Sequence, residues 1–139
     1  MAALQSLRQI VKSVKFSPRF ERHAQHLKVI SCDKGYIKCE MPVLEEHLNM
    51  KDGMHGGFTA TLLDIVSTYA IATIPPARFG VSVNLNVSYI KAAQKGDNLT
   101  ITSKVMKSGK TLAFANIEIK NQKDELIAFG QHTKFVANG

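Results

Sequence analysis

From Gly56 to Ile74 the chain carries one charged side chain, Asp64, within a run whose apolar residues cover most of a helical circumference. A helix that is apolar on nearly all sides has to be wrapped by the rest of its domain, so this segment constrains the architecture more than any other. Pro75 and Pro76 end it, because proline cannot extend the hydrogen-bond ladder. Helical spacing resolves three rows: Phe58, Leu62, Ile65 and Tyr69; Ala60, Leu63, Val66 and Ala70; and a narrow row of Gly57, Thr61, Asp64 and Thr68. The third row has no long charged side chain, which predicts a polar seam rather than a face turned to bulk water.

The wrapping has to come from strands. "HLKVISC", "DKG" and "YIKCEMPV" read as a hairpin ahead of the helix. Four strand-like runs follow it: "GVSVNLNVSYI", "DNLTITSKVM", "TLAFANIEIK" and "ELIAFGQHTKFV". The turns between them, "AAQKG", "KSGK" and "NQKD", are short, which predicts antiparallel neighbours. The expected fold is α+β, one long antiparallel sheet around one central helix, in a single domain over residues 1–139. "AALQSLRQIVKSV" places Leu4, Leu7, Val11 and Val14 at helical spacing among Arg8, Lys12 and Lys15. Residues 1–25 are therefore expected as a helical segment packed on the domain. A mitochondrial presequence is the competing reading, since Glu21 is the sole acid before Lys28.

Hydrophobic content of 45% and charged content of 21% are those of a globular chain. No apolar run approaches the roughly 20 residues that span a bilayer, so no membrane span is expected, and the location is expected to be intracellular, cytoplasmic or mitochondrial. Without a secretory context, Cys32 and Cys39 are expected as free thiols. The net charge of +7 attracts anions without naming them. The lysines are scattered and do not interleave with aromatics, so no nucleic-acid partner is expected.

An ionised carboxylate away from water costs several kcal/mol unless paired or hydrogen-bonded. Asp64 is thus either a structural acid held by Thr61, Thr68 and strand hydroxyls, or a reactive one. Ahead of it, "HGG" puts Gly56 where the first helical N–H groups lack internal acceptors and the helix dipole is positive, a donor for a developing oxyanion or simply a flexible helix start. In "VSVNLNVSY", Ser82, Asn84, Asn86 and Ser88 alternate with Val81, Val83, Leu85, Val87 and Tyr89. That small polar face fits a wet cleft, an interface with a second chain, or an ordinary exposed side. Asp64 follows Gly56 by eight residues, roughly 12 Å along a helix, so the two cannot touch one carbonyl in one chain. If both act on one substrate, the protein is a homodimer with composite sites.

Together, "EEHLNMKDGMHGGFTATLLDIVST", "GVSVNLNVSY", "KSGKTLAF" and "GQHTK" resemble the hotdog-fold acyl-coenzyme A thioesterases along nearly the whole chain. The resemblance implies that Asn49 and the Gly56 N–H polarise a thioester carbonyl and that His55 shapes that end of the site. It implies that Asp64 of the partner subunit deprotonates water, with Ser82 helping to hold it. It also implies that Tyr89, Ile90, Lys91, Ala92, Ala93 and Gln94, then Lys107, Ser108, Gly109, Lys110, Thr111 and Leu112, line the path of coenzyme A, with Asn84 nearby. The family often has glycine three residues after the asparagine, where this chain has Asp52. The implied reaction is hydrolysis of medium- to long-chain fatty acyl-coenzyme A to free acid by carboxylate-assisted water attack. The implied assembly is a homodimer doubled into a homotetramer, with no cofactor, coenzyme A being part of the substrate.

A thioester is electrophilic enough that water, a carboxylate base and two donors suffice. Attack by Asp64 itself through an anhydride stays open. The alternatives are a non-catalytic acyl-coenzyme A sensor or interaction module, and a hotdog hydratase or dehydratase, whose Asp shortly before a His is absent from "NMKDGMH". "KSGKT" lacks the first glycine of a phosphate-binding loop, Lys104 standing there. His47, Asp52 and His55 have no standard ligand spacing, so no metal is expected. Ser82 lies on a strand rather than at a nucleophile elbow.

Overall fold

The computed structural model describes residues 2–15 and 17–137, without the side chains of residues 2–4, 6 and 13–15. Leu4, Val14 and Lys15 of the expected amphipathic stripe therefore lie outside the described residues. The elements are α1 (Ala2–Lys15), β1 (Lys28–Asp33), β2 (Tyr36–Pro42), α2 (Gly56–Ala72), β3 (Val81–Tyr89), β4 (Asn98–Ser108), β5 (Leu112–Lys120) and β6 (Leu126–Phe135). Short 3-10 turns form at Phe20–Ala24 and Glu45–His47.

The strands make one six-stranded sheet, ordered β1-β2-β4-β5-β6-β3. All its pairs are antiparallel. The sheet curls around α2, whose Leu62, Leu63 and Val66 have no exposure at all and pack among Ile37, Cys39, Leu99, Ile101 and Ile119. Each such side chain contributes about 1.5–3 kcal/mol by burial. Leu7 of α1 joins the same core.

Two expectations fail here. The short "AAQKG" connection predicts that β3 and β4 are neighbours, yet β3 pairs β6 at the sheet edge and β4 lies between β2 and β5. Residues 90–97 cross three strand spacings of about 4.8 Å, well within the reach of extended backbone. They are pinned on the way by Met54 N–H to Ala93 O (2.8 Å) and by Val43, which donates to Asp97 O and accepts from Gly96 N–H (both 2.9 Å). A short loop that is tied down along its length travels instead of turning.

The second correction is to the alternation of β3. Ser82 pairs with Lys134 and Asn84 with Thr133, so Val83 is an extra residue that bulges out of the ladder. Residues directly opposite share a face. Ser82 therefore points inward with Lys134 and His132, while Asn84, Asn86 and Ser88 point outward opposite Thr133, Gln131 and Phe129. The four small polar residues do not form one face.

Candidate active site

At the N-terminus of α2 the chain fixes two hydrogen-bond donors through local bonds. Asn49 N–H reaches Gly53 O (2.7 Å) and Asp52 N–H reaches Asn49 O (3.1 Å), closing a tight loop. Asn49 Oδ1 accepts from Lys51 N–H (2.8 Å) and Gly53 N–H (3.2 Å), so its carboxamide oxygen is committed and its Nδ2 has no acceptor among the described residues. Asp52 takes a φ of 67°, the left-handed conformation that glycine adopts most readily and that Asp tolerates. The loop thus closes with aspartate where the family often has glycine.

His55 caps the helix, its Nδ1 accepting from Gly57 N–H at 2.8 Å. Phe58 and Thr59 N–H groups bond to His55 O. Gly56 N–H has no acceptor among the described residues, and the helix dipole makes it a stronger donor. Tyr89 donates its hydroxyl to Gly56 O at 2.8 Å, which holds the first helical peptide from the carbonyl side. A Cβ at residue 56 would meet the Tyr89 ring at 3.4–3.6 Å, ordinary contact, so a side chain there would fit the fold and cover the amide. Gly53 bridges to Gln94, and Ala92 approaches Gly53, so residues 92–94 border the same loop.

Behind this loop His47 is buried and stacked on Phe58, with ring centroids 4.2 Å apart. Its Nδ1 accepts from Leu44 N–H (3.0 Å), so Nε2–H donates to His23 O (2.9 Å). Burial holds its pKa below the ordinary imidazole value. This histidine is structural. Among the described residues no cluster of three metal-ligating side chains forms.

The middle of α2 carries a second cluster. Asp64 lines a cleft of about 380 Å³ whose polar wall is Glu21, Thr61, Asp64, Thr68 and Lys134 and whose apolar wall is Phe20, Ile65, Tyr69 and Phe79. The Asp64 side chain is 46% exposed. Within one chain the row of Gly57, Thr61, Asp64 and Thr68 is the side of α2 that the sheet does not cover. Asp64 Oδ1 lies 3.4 Å from Thr68 Oγ and 3.9 Å from His132 Nδ1.

His132 has no exposure, and its ring bridges two serines, Nδ1 to Ser67 Oγ and Nε2 to Ser82 Oγ, both at 2.7 Å. Ser67 spends its one hydroxyl hydrogen on the carbonyls of Leu63 (2.7 Å) and Asp64 (3.0 Å), so it accepts from Nδ1–H. Nε2 is then the acceptor, and Ser82 donates to it. Burial pushes the His132 pKa down, Asp64 opposes and Lys134 adds to the lowering. The imidazole is kept neutral, as this bond pattern requires. Lys134 is also buried, donates to Thr68 Oγ at 2.8 Å and has its pKa lowered by burial, with Asp64 opposing.

The substrate-path residues divide in two. Residues 89–94 lie before β4 and residues 107–112 at its far end, about 30 Å of extended chain away. Within one protomer they do not meet. Lys91 is paired with Glu125 at 2.6 Å, and Ile90 is exposed. Lys107 and Lys110 are exposed at the β4–β5 turn, and Asn84 accepts from Asn86 Nδ2 (3.4 Å) on the outer face. A larger cavity of about 820 Å³ between α1 and β1, bordered by Arg8, Val11, Lys12, His26 and Leu27, contains neither Asp64 nor His132.

Sequence reading passed over His132 and Lys134. The clue was present: β6 alternates Ala128, Gly130, His132 and Lys134 on its inner side, and a histidine and a lysine on a buried strand face need partners.

A family described as the thioesterase superfamily matches residues 53–128. Human acyl-coenzyme A thioesterase 13 is 42% identical over 135 residues, 96% of each chain. The crystal structure of zebrafish thioesterase superfamily member 2 superposes with a TM-score of 0.93 at 42% identity, covering 96% of this chain and 97% of that one. A hypothetical thioesterase protein from Streptococcus pneumoniae, solved with coenzyme A, superposes with a TM-score of 0.76 at 25% identity, covering 79% and 84%.

Proposed function

The chain belongs to the thioesterase superfamily, and on that premise we propose that it is an acyl-coenzyme A thioesterase. It hydrolyses medium- to long-chain fatty acyl-coenzyme A to free acid and coenzyme A, in sites completed by a second copy of the chain. The observation that carries this reading is the cleft onto which the Asp64 carboxylate opens, 3.9 Å from Nδ1 of a buried imidazole whose Nε2 holds the Ser82 hydroxyl.

Ser82 gives its hydrogen to His132, so its oxygen accepts a hydrogen from the attacking water. Asp64 takes the second hydrogen as that water adds to the thioester carbonyl carbon. The carbonyl oxygen gains charge and is met by Asn49 Nδ2–H and Gly56 N–H of the other subunit, each donor worth about 2.7–4 kcal/mol. The C–S bond breaks, the thiolate leaves, and the proton held by Asp64 neutralises it. His55 keeps the donor end in shape by capping α2, and no cofactor is needed beyond the coenzyme A of the substrate. The apolar wall of the cleft suits the acyl chain.

Two features support the shared site. Gly56 and Asp64 are separated by roughly 12 Å along one helix. At the sheet edge, β3 exposes Val81 and Val83 with an unpaired strand flank, which suits pairing with its own copy. That pairing closes a dimer, and the tetramer doubles the dimer through a further face.

A second reading rests on the 2.7 Å bond from Ser82 to His132, in which Ser82 itself attacks and forms an acyl-serine. Release of thiol from a long-chain acyl-coenzyme A tests the activity, and loss of most of the rate in Asp64→Asn with substrate binding retained tests the base. A stoichiometric burst of thiol ahead of slower acid release would favour the acyl-serine. Absence of turnover with tight binding would favour a sensor.

A further inference from the structure

The loop from α2 to β3 contains Arg78, to which sequence reading assigned nothing. Its guanidinium spans to the β4–β5 turn: Nη2 donates to Ser108 Oγ and Gly109 O, each at 3.0 Å, and Nη1 donates to Lys110 O at 3.3 Å. The turn is otherwise closed by Gly109 N–H to Leu112 O and Val136 N–H to Thr111 O, both 2.8 Å.

In a trans peptide the C=O and the following N–H point in opposite directions. Drawing the carbonyls of Gly109 and Lys110 towards one guanidinium therefore turns the N–H groups of Lys110 and Thr111 away from it, side by side. Neither N–H has an acceptor among the described residues. Successive outward N–H groups form an anion-binding concavity, and the exposed ammonium groups of Lys107 and Lys110 stand on the same turn. Without the guanidinium the two carbonyls are free to rotate out, and the amides lose their common direction. Lysine cannot replace it, since one point donor does not match three acceptors that a planar fork reaches together.

We propose that Arg78 is a positioning residue for substrate recognition: it locks residues 108–111 so that the turn presents two amides and two lysines to the phosphates of the coenzyme A moiety. This rests on the thioesterase reading above. Arg78 donates to residues 108–110 and not to Asn49, Gly56, Asp64 or Ser82, so its effect falls on binding and not on the chemical step.

The test compares wild type, Arg78→Ala and Arg78→Lys on two substrates with the same acyl chain, an acyl-coenzyme A and the acyl-pantetheine that lacks the nucleotide phosphates. Arg78→Ala is expected to raise KM for the acyl-coenzyme A about tenfold, the scale of one charge-assisted hydrogen bond, with kcat within about twofold. KM for the acyl-pantetheine is expected to stay unchanged, and Arg78→Lys to recover little. An equal KM rise on both substrates, no rise on either, or a fall in kcat alone would overturn the proposal. If wild type cleaves neither substrate, the thioesterase reading falls by itself. Calorimetric titration with coenzyme A then decides: about tenfold weaker binding to Arg78→Ala upholds the clamp, and equal or absent binding rejects it. Arg78→Gln repeats the series should Arg78→Ala fail to fold.

Discussion

At the N-terminus of α2 the side-chain bonds that aim the donors mostly close within four residues, Asn49 onto Lys51 and Gly53, and His55 onto Gly57. In the middle of the same helix the bonds that place the acid's neighbours cross half the chain: Ser67 to His132, Ser82 to His132, and Lys134 to Thr68. The first region is a loop that organises itself. The second exists only when β3 and β6 take their registers against the helix. A self-contained donor loop survives small shifts of the sheet, whereas the acid cleft reports on the whole fold.

The strongest challenge to that contrast compares Asp64→Ala with Asn49→Ala. Loss of the base is expected to lower kcat by about 10²–10⁴, and loss of one oxyanion donor by about 10²–10³, with little change in the thermal midpoint for either. A larger effect at Asn49 would reverse the ranking. Next in size is His132→Ala, which empties a fully buried position and strands two serines. It should cost about 2–4 kcal/mol in denaturant unfolding, against about 1 kcal/mol for His55→Ala, which removes only a local cap. Equal losses would break the distinction between long-range and local construction.

The pH dependence sharpens it further. His132 and His47 both titrate below the ordinary value of 6.5 because they are buried. As pH falls past 6.5 the unfolded chain takes up protons that the folded chain refuses, so stability declines until the lowered folded values are passed. Protonated His132 also cannot accept from Ser82, so turnover should fall on the same acid limb, and His132→Asn should flatten that part of the rate profile. The smallest expected effect is at Tyr89→Phe, where loss of the bond to Gly56 O should cost about 1 kcal/mol in unfolding while the local Asn49 loop keeps its shape.

Much of the fold was legible because it depends on short-range pattern. The apolar circumference of α2, the Asp33–Tyr36 turn with Gly35 at positive φ, and the strand runs all follow from periodicity and turn chemistry. Of the donor loop, the residues alone pointed to Gly56, at a helix start, while Asn49 was named by the resemblance. The acid cleft was only half legible. Asp64 and Ser82 were singled out, but the alternation that seemed to group Ser82 with Asn84 was interrupted at Val83, and a bulge leaves no mark in a run of valines and small polar residues. The partner of β3 depended on where a pinned loop carries the chain.

The extra residue at Val83 sets the parity of β3. Residues before it and after it obey opposite inside–outside rules in sequence number, so Ser82 and Leu85 both face inward, and removing that one valine would make the ladder regular with Ser82 still opposite Lys134. A single-residue gap at the bulge therefore spares the hydroxyl's place beside its imidazole, whereas a single-residue gap between Asn84 and Tyr89, where the ladder has no slack, would shift the register and turn side chains to the other face.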